Sequence, residues 1–299
     1  MKYRRRTIPE IPSVRSRELG RRLRHVKDEA DLTGKALARM MGMQESRLSK
    51  ILGGIVVPTQ AEVAALLAHC GVTDVRRDQI LDICDVRHDQ SVLRLVGSEQ
   101  WDAYAAYAVG ATRLTEYQPT CIPALAQTAN YTDAYLASLW DWPDERDEVG
   151  QALRRTAEIE DLTSAEIIVH EWCLRTSVGS AQMMSEQLHR LLNLSITGPV
   201  CLRVVPCNHR PRHVLPGGFA LMDFADQPAV VYRDDLTSGL FIDDPREVGT
   251  HRAVVERLRF LACNPTDSRQ LLRSIAAEYS RVADAEALDD DCALDQCMS

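Results

Sequence analysis

Apolar positions recur at helical spacing through the first third of the chain and at strand spacing through much of its second half. From Ser16 onward, Leu19, Leu23 and Val26 fall on one stripe, with Arg17, Arg21, Arg22, Arg24 and Lys27 on the wetter sides, which predicts an amphipathic helix. The stretch Leu32 to Gly53 (LTGKALARMMGMQESRLSKILG) then sets Ala38 and Gly42 four places apart among Leu37, Met41, Met43, Leu48 and Ile51. Two short helices cross steeply only where a small side chain lies at the contact and a glycine permits the turn, so this spacing predicts a helix-turn-helix. Thr33 is placed to cap the first of the two helices. Gln44 to Leu52 forms the second, with Leu48 and Ile51 inward and Gln44, Glu45, Ser46, Arg47, Ser49 and Lys50 outward. Gly53 and Gly54 stop that helix, and Thr59 with Glu62 reads as a capping box opening the next, through Val63, Leu66 and Leu67. A fifth helix, about Val75 to Cys84, completes an all-α five-helix domain.

Beyond residue 91 the texture changes. Trp101 to Ala111 is helical in pattern, TEYQPT is extended, and further helices are predicted before Leu139 and over Glu145 to Leu162. Ala165 to Leu174, Val200 to Val205, Gly218 to Phe224, Ala229 to Tyr232 and Gly239 to Ile242 read as strands, with a helix over Ala181 to Leu194 between the first two. Short links after Val205 predict an antiparallel meander, flanked by helices over Glu247 to Cys263 and Ser268 to Ser280, the latter capped by Thr266 or Asp267. The fold class is α+β overall: a basic arm (1–14), a helix-turn-helix domain (15–90), a larger α+β regulatory or oligomerisation domain (91–281), and a tail (282–299). With six acidic residues and no Lys or Arg, that tail is expected to be disordered.

Composition changes this picture at one point. A 299-residue chain with 45% hydrophobic and 26% charged residues is ordinary for a soluble protein. No run is long enough to span a membrane, and MKYRRRTIPEIP has no apolar segment behind it, so a cytoplasmic location and no membrane partner are expected. The nine cysteines, without any CxxC, predict reduced thiols. The net charge of −8, however, is split: residues 1–58 hold 14 Lys+Arg against 6 Asp+Glu, and the remainder 21 against 37. A basic segment on an acidic body presents one face to a polyanion, which favours double-stranded DNA as partner.

Other chemistry is weakly signalled. Cys207, His209 and His213 place a thiol and two imidazoles close together, but their spacing matches no strong zinc pattern. The acidic pairs Asp234-Asp235 and Asp243-Asp244 read better as solvated or helix-capping groups than as a metal or hydrolase site, and Asp243-Asp244-Pro245 stands before a helix. No coherent nucleophile, base and orienting group is visible, so no enzyme, catalytic residue, metal or cofactor is expected. Aromatics from Trp101 to Trp172 suit core packing or an interface better than an effector pocket.

Leu32-Thr33, Ala38, Gly42, RLSKILGG and Pro58-Thr59 resemble the XRE-type helix-turn-helix of phage-repressor-like regulators, over about residues 16–88. Gly34 stands where that family often has a phosphate-contacting glutamine. The blocks TEYQPTCIPALAQTANYTDAYL, AEIIVHEWCLR, LRVVPCNHR, GGFALMDFADQPAVVYRDDLTSGLFIDDP and VERLRFLACNP resemble the second domain of actinobacterial XRE-family regulators of the WhiJ, antitoxin-like type. The resemblance implies a transcription regulator that acts beside a small partner protein encoded nearby. On this reading Glu45, Ser46, Arg47 and Ser49 face base edges, and Thr33, Lys35, Gln44 and Lys50 lie nearer phosphate. A homodimer on an inverted-repeat operator is expected. The alternative is an antitoxin-like module that binds its small partner, with DNA binding as autoregulation.

Overall fold

The computed structural model describes residues 12–84, 91–139, 143–157, 164–198, 200–207, 217–235 and 238–297. Most of the basic arm and the loop carrying His209 and His213 lie outside the described residues. Five helices come first: α1 (Val14–Glu29), α2 (Gly34–Met40), α3 (Glu45–Leu52), α4 (Gln60–His69) and α5 (Asp74–Ile83). Then follow β1 (Val92–Val96), α6 (Ser98–Gly110), β2 (Arg113–Gln118), α7 (Ala129–Leu139), α8 (Pro143–Ala157), β3 (Ala165–His170), α9 (Glu171–Arg175), α10 (Ala181–Thr197) and β4 (Val200–Val205). β5 (Phe219–Asp223), β6 (Val230–Asp235), β7 (Ser238–Ile242), α11 (Pro245–Leu261) and α12 (Pro265–Cys297) complete the α+β fold.

The strands form one mixed seven-stranded sheet in the order β1-β7-β6-β5-β2-β3-β4. Consecutive β5, β6 and β7 are neighbours, as a meander requires, and β5 pairs antiparallel with β2. The other half lies outside that expectation: β2, β3 and β4 run parallel, with Leu114 opposite Ala165 and Ala165 opposite Val200. α10 supplies the crossover from β3 to β4 that parallel strands need. β3 is buried at five of its six positions, as a covered parallel strand should be.

Three expectations need correction. Ala165 to Leu174 is not one strand; β3 ends at His170, whose Nδ1 accepts a hydrogen bond from Trp172 N at 3.1 Å and caps α9. A continuous apolar run does not distinguish a strand from a buried helical turn. Nor is the acidic segment after Val282 without structure, because α12 continues to Cys297. That stretch contains no Gly or Pro and is rich in Ala, Leu and acids, which a helix accommodates well. The cap of α12 is Asn264, whose Oδ1 accepts from Thr266 N and Asp267 N at 3.0 Å each.

The chain divides into two compact units. One takes residues up to Arg94 together with Asp226–Val230 and Leu240–Val248; the other takes Leu95–Ala225, Val231–Gly239 and the residues from Gly249 onward. The first is cored by Leu19, Leu23, Leu37, Leu48, Val63, Leu66, Leu67 and Ile80, all essentially inaccessible. The second has a core that includes Tyr117, Phe219, Ile168, Leu188, Leu202 and Leu272. No described helix is long and apolar enough to cross a membrane.

Candidate nucleic-acid interface

The turn between α2 and α3 takes the form its sequence requires. Gly42 adopts φ +63°, a conformation costly for residues with a Cβ, and Met43 N donates to Ala38 O at 3.0 Å. Ala38 is buried at the crossing with Leu48 and Ile51, while Met41 and Met43 are only half-buried. At the far end of α3, Gly54 sits at φ +74°, and a Cβ there would meet Ser16 O at 2.8 Å and Arg17 Cα at 2.9 Å. The absence of a side chain lets α1 pass close behind α3.

This packing leaves one polar face outward. Thr33, Lys35, Gln44, Glu45, Ser46, Arg47, Ser49 and Lys50 are all exposed. Thr33 Oγ1 accepts from Ala36 N at 3.1 Å, fixing the start of α2. Gln44 occupies the cap position of α3 without a side-chain hydrogen bond, so its amide is available elsewhere. Arg47 is engaged within the unit: its guanidinium donates to Glu62 at 2.8 and 3.1 Å, and to reach a base it must exchange that carboxylate. Glu62 closes the capping box with Thr59. The Thr59 N–H, at 2.8 Å, leads the influences that hold the Glu62 carboxyl below its ordinary range, with Arg47 adding to it against a cost of burial. Within the described residues no ion pair engages Lys35, Arg39 or Lys50.

Much of the basic charge of α1 is directed inward. Arg17 was expected on a wetter side, yet it is 7% exposed. It donates to Gln227 Oε1 at 3.1 Å and Pro228 O at 3.2 Å, and pairs with Asp243 at 3.4 Å. Asp243 also accepts from Val14 N at 2.6 Å, while Asp244 Oδ1 caps α11 through Arg246 N and Glu247 N. Arg15 donates to Ile83 O at 3.2 Å and Asp82 O at 2.8 Å. Arg21 and Arg22 grip the buried Glu18 at 2.7 and 2.8 Å.

The second unit contains a cavity of about 280 Å³ that sequence reasoning did not anticipate. Its lining includes Glu116 on β2 and Asp234 on β6, facing an apolar side of Leu136, Val149 and Leu153 with Trp101 and Tyr135 packed against them. Glu116 is 3% exposed and accepts from Tyr104 Oη at 2.7 Å and Gln118 Nε2 at 3.4 Å. Burial pushes its carboxyl up to about 7, and burial likewise raises that of Asp234. Gln118 fits because residue 218 is glycine; a Cβ there would lie 2.1 Å from Gln118 Oε1. The available signal was an acid inside the otherwise strand-like LTEYQ, a buried polar position with no structural need for charge. The aromatics divide: Tyr104, Tyr117 and Tyr131 are core, Trp101 and Tyr135 reach the cavity, and Trp172 is exposed.

Comparisons with known proteins bear on both units. A family model described as a domain of unknown function, DUF5753, matches residues 101–274, and a helix-turn-helix domain model matches residues 18–80. The latter supports a DNA-binding regulator. No curated protein matches the chain. Among solved structures, that of TrmBL2, an archaeal chromatin protein, aligns at 11% identity over 78% of this chain and 88% of that one, with a TM-score of 0.29. At that score the two cannot be compared site by site.

Proposed function

The chain belongs to the DUF5753 family, and from that premise we propose that it is a sequence-specific, cytoplasmic transcription regulator in which α3 reads DNA and the family domain controls it. The observation that carries the reading is the outward face of α3, where Ser46, Ser49 and Lys50 stand exposed on a helix-turn-helix whose inward side is fully packed. Glu45, Ser46, Arg47 and Ser49 meet base edges; Thr33, Lys35, Gln44 and Lys50 meet phosphate. One chain carries one such helix, and two copies related by a twofold axis present recognition helices about 34 Å apart to successive major grooves, so the operator is an inverted repeat.

The test is genome-wide occupancy to find the operator, then affinity and footprinting with Arg47→Ala and Lys50→Ala. Both residues are exposed, so the variants should fold normally. Arg47→Ala should lose about 1–3 kcal/mol and relax preference at one base position, and Lys50→Ala should weaken all sequences alike. Unchanged footprints and affinities in both variants would show that α3 is not the reading helix.

A further inference from the structure

We propose that the cavity of the second unit is a binding site for a small organic cation, a protonated amine carried on an apolar or aromatic body. The proposal deepens the regulator reading and rests on it for its consequence at DNA, whereas binding itself is measured without DNA.

Three independent features set the ligand class. The first is charge. Glu116 and Asp234 line the cavity, and none of its described lining residues is Lys, Arg or His. A buried carboxylate without a counter-charge is costly, and the groups that hydrogen-bond Glu116, Tyr104 Oη and Gln118 Nε2, are neutral donors. A cation supplies what the described lining lacks. The second is hydrogen bonding. Gln100, 2% exposed, lines the same cavity, and its buried Oε1 accepts no hydrogen bond within the described structure. A buried carbonyl calls for a donor, and an ammonium group carries three. A carboxylate, phosphate or ether ligand would add acceptors to a site already rich in them. The third is shape. Leu136, Val149 and Leu153, with the Trp101 and Tyr135 rings, provide an apolar surface for a body of limited size, because about 280 Å³ lies at the small end of ligand pockets. A polyamine would leave that surface uncovered; an amine with a single ring or short branched chain covers it.

Burial supports the sign of the electrostatics. Glu116 is faced by Tyr104 and Gln100 from α6, Gln118 from its own strand, Tyr232 and Asp234 from β6, and Cys121. No group in that set is a cation. Burial keeps the Glu116 carboxyl protonated up to about 7, so an ammonium ion entering at neutral pH expels a proton as the carboxylate forms.

The experiment uses the full chain, titrated calorimetrically with 2-phenylethylamine, the neutral isostere 2-phenylethanol, the anion phenylacetate, and putrescine. Phenylethylamine should bind at least about tenfold more tightly than the alcohol and than putrescine, and phenylacetate should not bind. Its binding heat at pH 7 should vary with the ionisation enthalpy of the buffer, reporting proton release. Asp234→Asn and Glu116→Gln, checked for native thermal unfolding, should each weaken the amine about tenfold or more, and the half-buried Asp234 keeps the test open if the Glu116 variant fails to fold. Equal affinity for amine and alcohol, a preference for the anion, or no binding of any probe up to about 10 mM by folded protein would overturn the proposal. Operator affinity is read separately. If the amine binds and DNA affinity does not change, the site stands and its control of DNA falls; if no operator exists, the regulator reading falls and the site stands.

Discussion

At the scale of single residues, two buried glutamates on adjacent strands show how environment rather than residue type fixes a charge. Register pairs Thr115 with Glu166 and Glu116 with Ile167, so the two acids point to opposite faces of the sheet. For Glu166 burial opposes ionisation, but Arg259 and Arg203, the latter at 3.0 Å, outweigh it and hold the carboxyl below its ordinary range. Among the described residues Glu116 has neutral hydrogen-bond donors only, and burial, with the nearby Asp234 adding to it, lifts it from 4.5 to about 7. Between those values the folded chain keeps a proton on Glu116 that the unfolded chain has released. Its contribution to stability therefore falls as pH rises through that window and levels off above about 7. The shift corresponds to something on the order of 3 kcal/mol. Glu116→Gln, which still accepts from Tyr104, should gain that amount relative to the natural chain between pH 5 and pH 8, as read by urea unfolding at the two values. Glu166 titrates in both proteins and cancels. An identical difference at both pH values would mean that Glu116 is not held protonated.

At the scale of elements, α1 depends on residues far from it in sequence. Arg17 and Asp243 are 226 positions apart, and their side chains are only 5% and 6% exposed. Burial raises the Asp243 carboxyl despite Val14 N and Arg17, so desolvation offsets what the pair returns, but losing one partner still leaves a buried charge behind. Asp243→Ala should cost about 3 kcal/mol, near the lower end for broken buried pairs. A fragment ending at Arg94 loses Asp243, Gln227 and Pro228 together, and should unfold at lower denaturant than the same helices in the whole chain. Equal midpoints for the α1–α5 signal would remove the dependence. The same fact explains what the sequence could reveal. Periodicity and capping chemistry located α1 to α5, Thr33, the Thr59–Glu62 box and the outward face of α3, because those signals lie within a few residues of each other. Arg17 looked solvated because its partners are invisible to any local window. The parallel pairing of β2, β3 and β4 escaped notice for the same reason, and the cavity acid Glu116 only became meaningful once β2 and β6 were placed in one sheet.

At the scale of the whole molecule, the formal excess of basic residues in the first 58 positions overstates what DNA can meet. Arg15, Arg17, Arg21, Arg22 and Lys27 are occupied by backbone carbonyls, Gln227, Asp243, Glu18 and Asp28. On or beside the outward face of α3, Lys35, Arg39 and Lys50 are exposed and unengaged among the described residues, and Arg47 is held there by a surface pair with Glu62. Each phosphate neutralised contributes about 0.9 to the slope of log affinity against log salt, so four cations per copy, on the two copies of the proposed dimer, give a slope of about −7. The arm residues Lys2, Arg4, Arg5 and Arg6 would steepen it. The measurement is operator affinity across about 50–200 mM salt, with the full chain and with a chain lacking residues 1–11. The shortened chain should give about −7, and any excess in the full chain belongs to the arm. A slope steeper than about −12 without the arm would mean that the inward arginines of α1 leave their partners on DNA, and with them the clamp that Asp243 places on that helix.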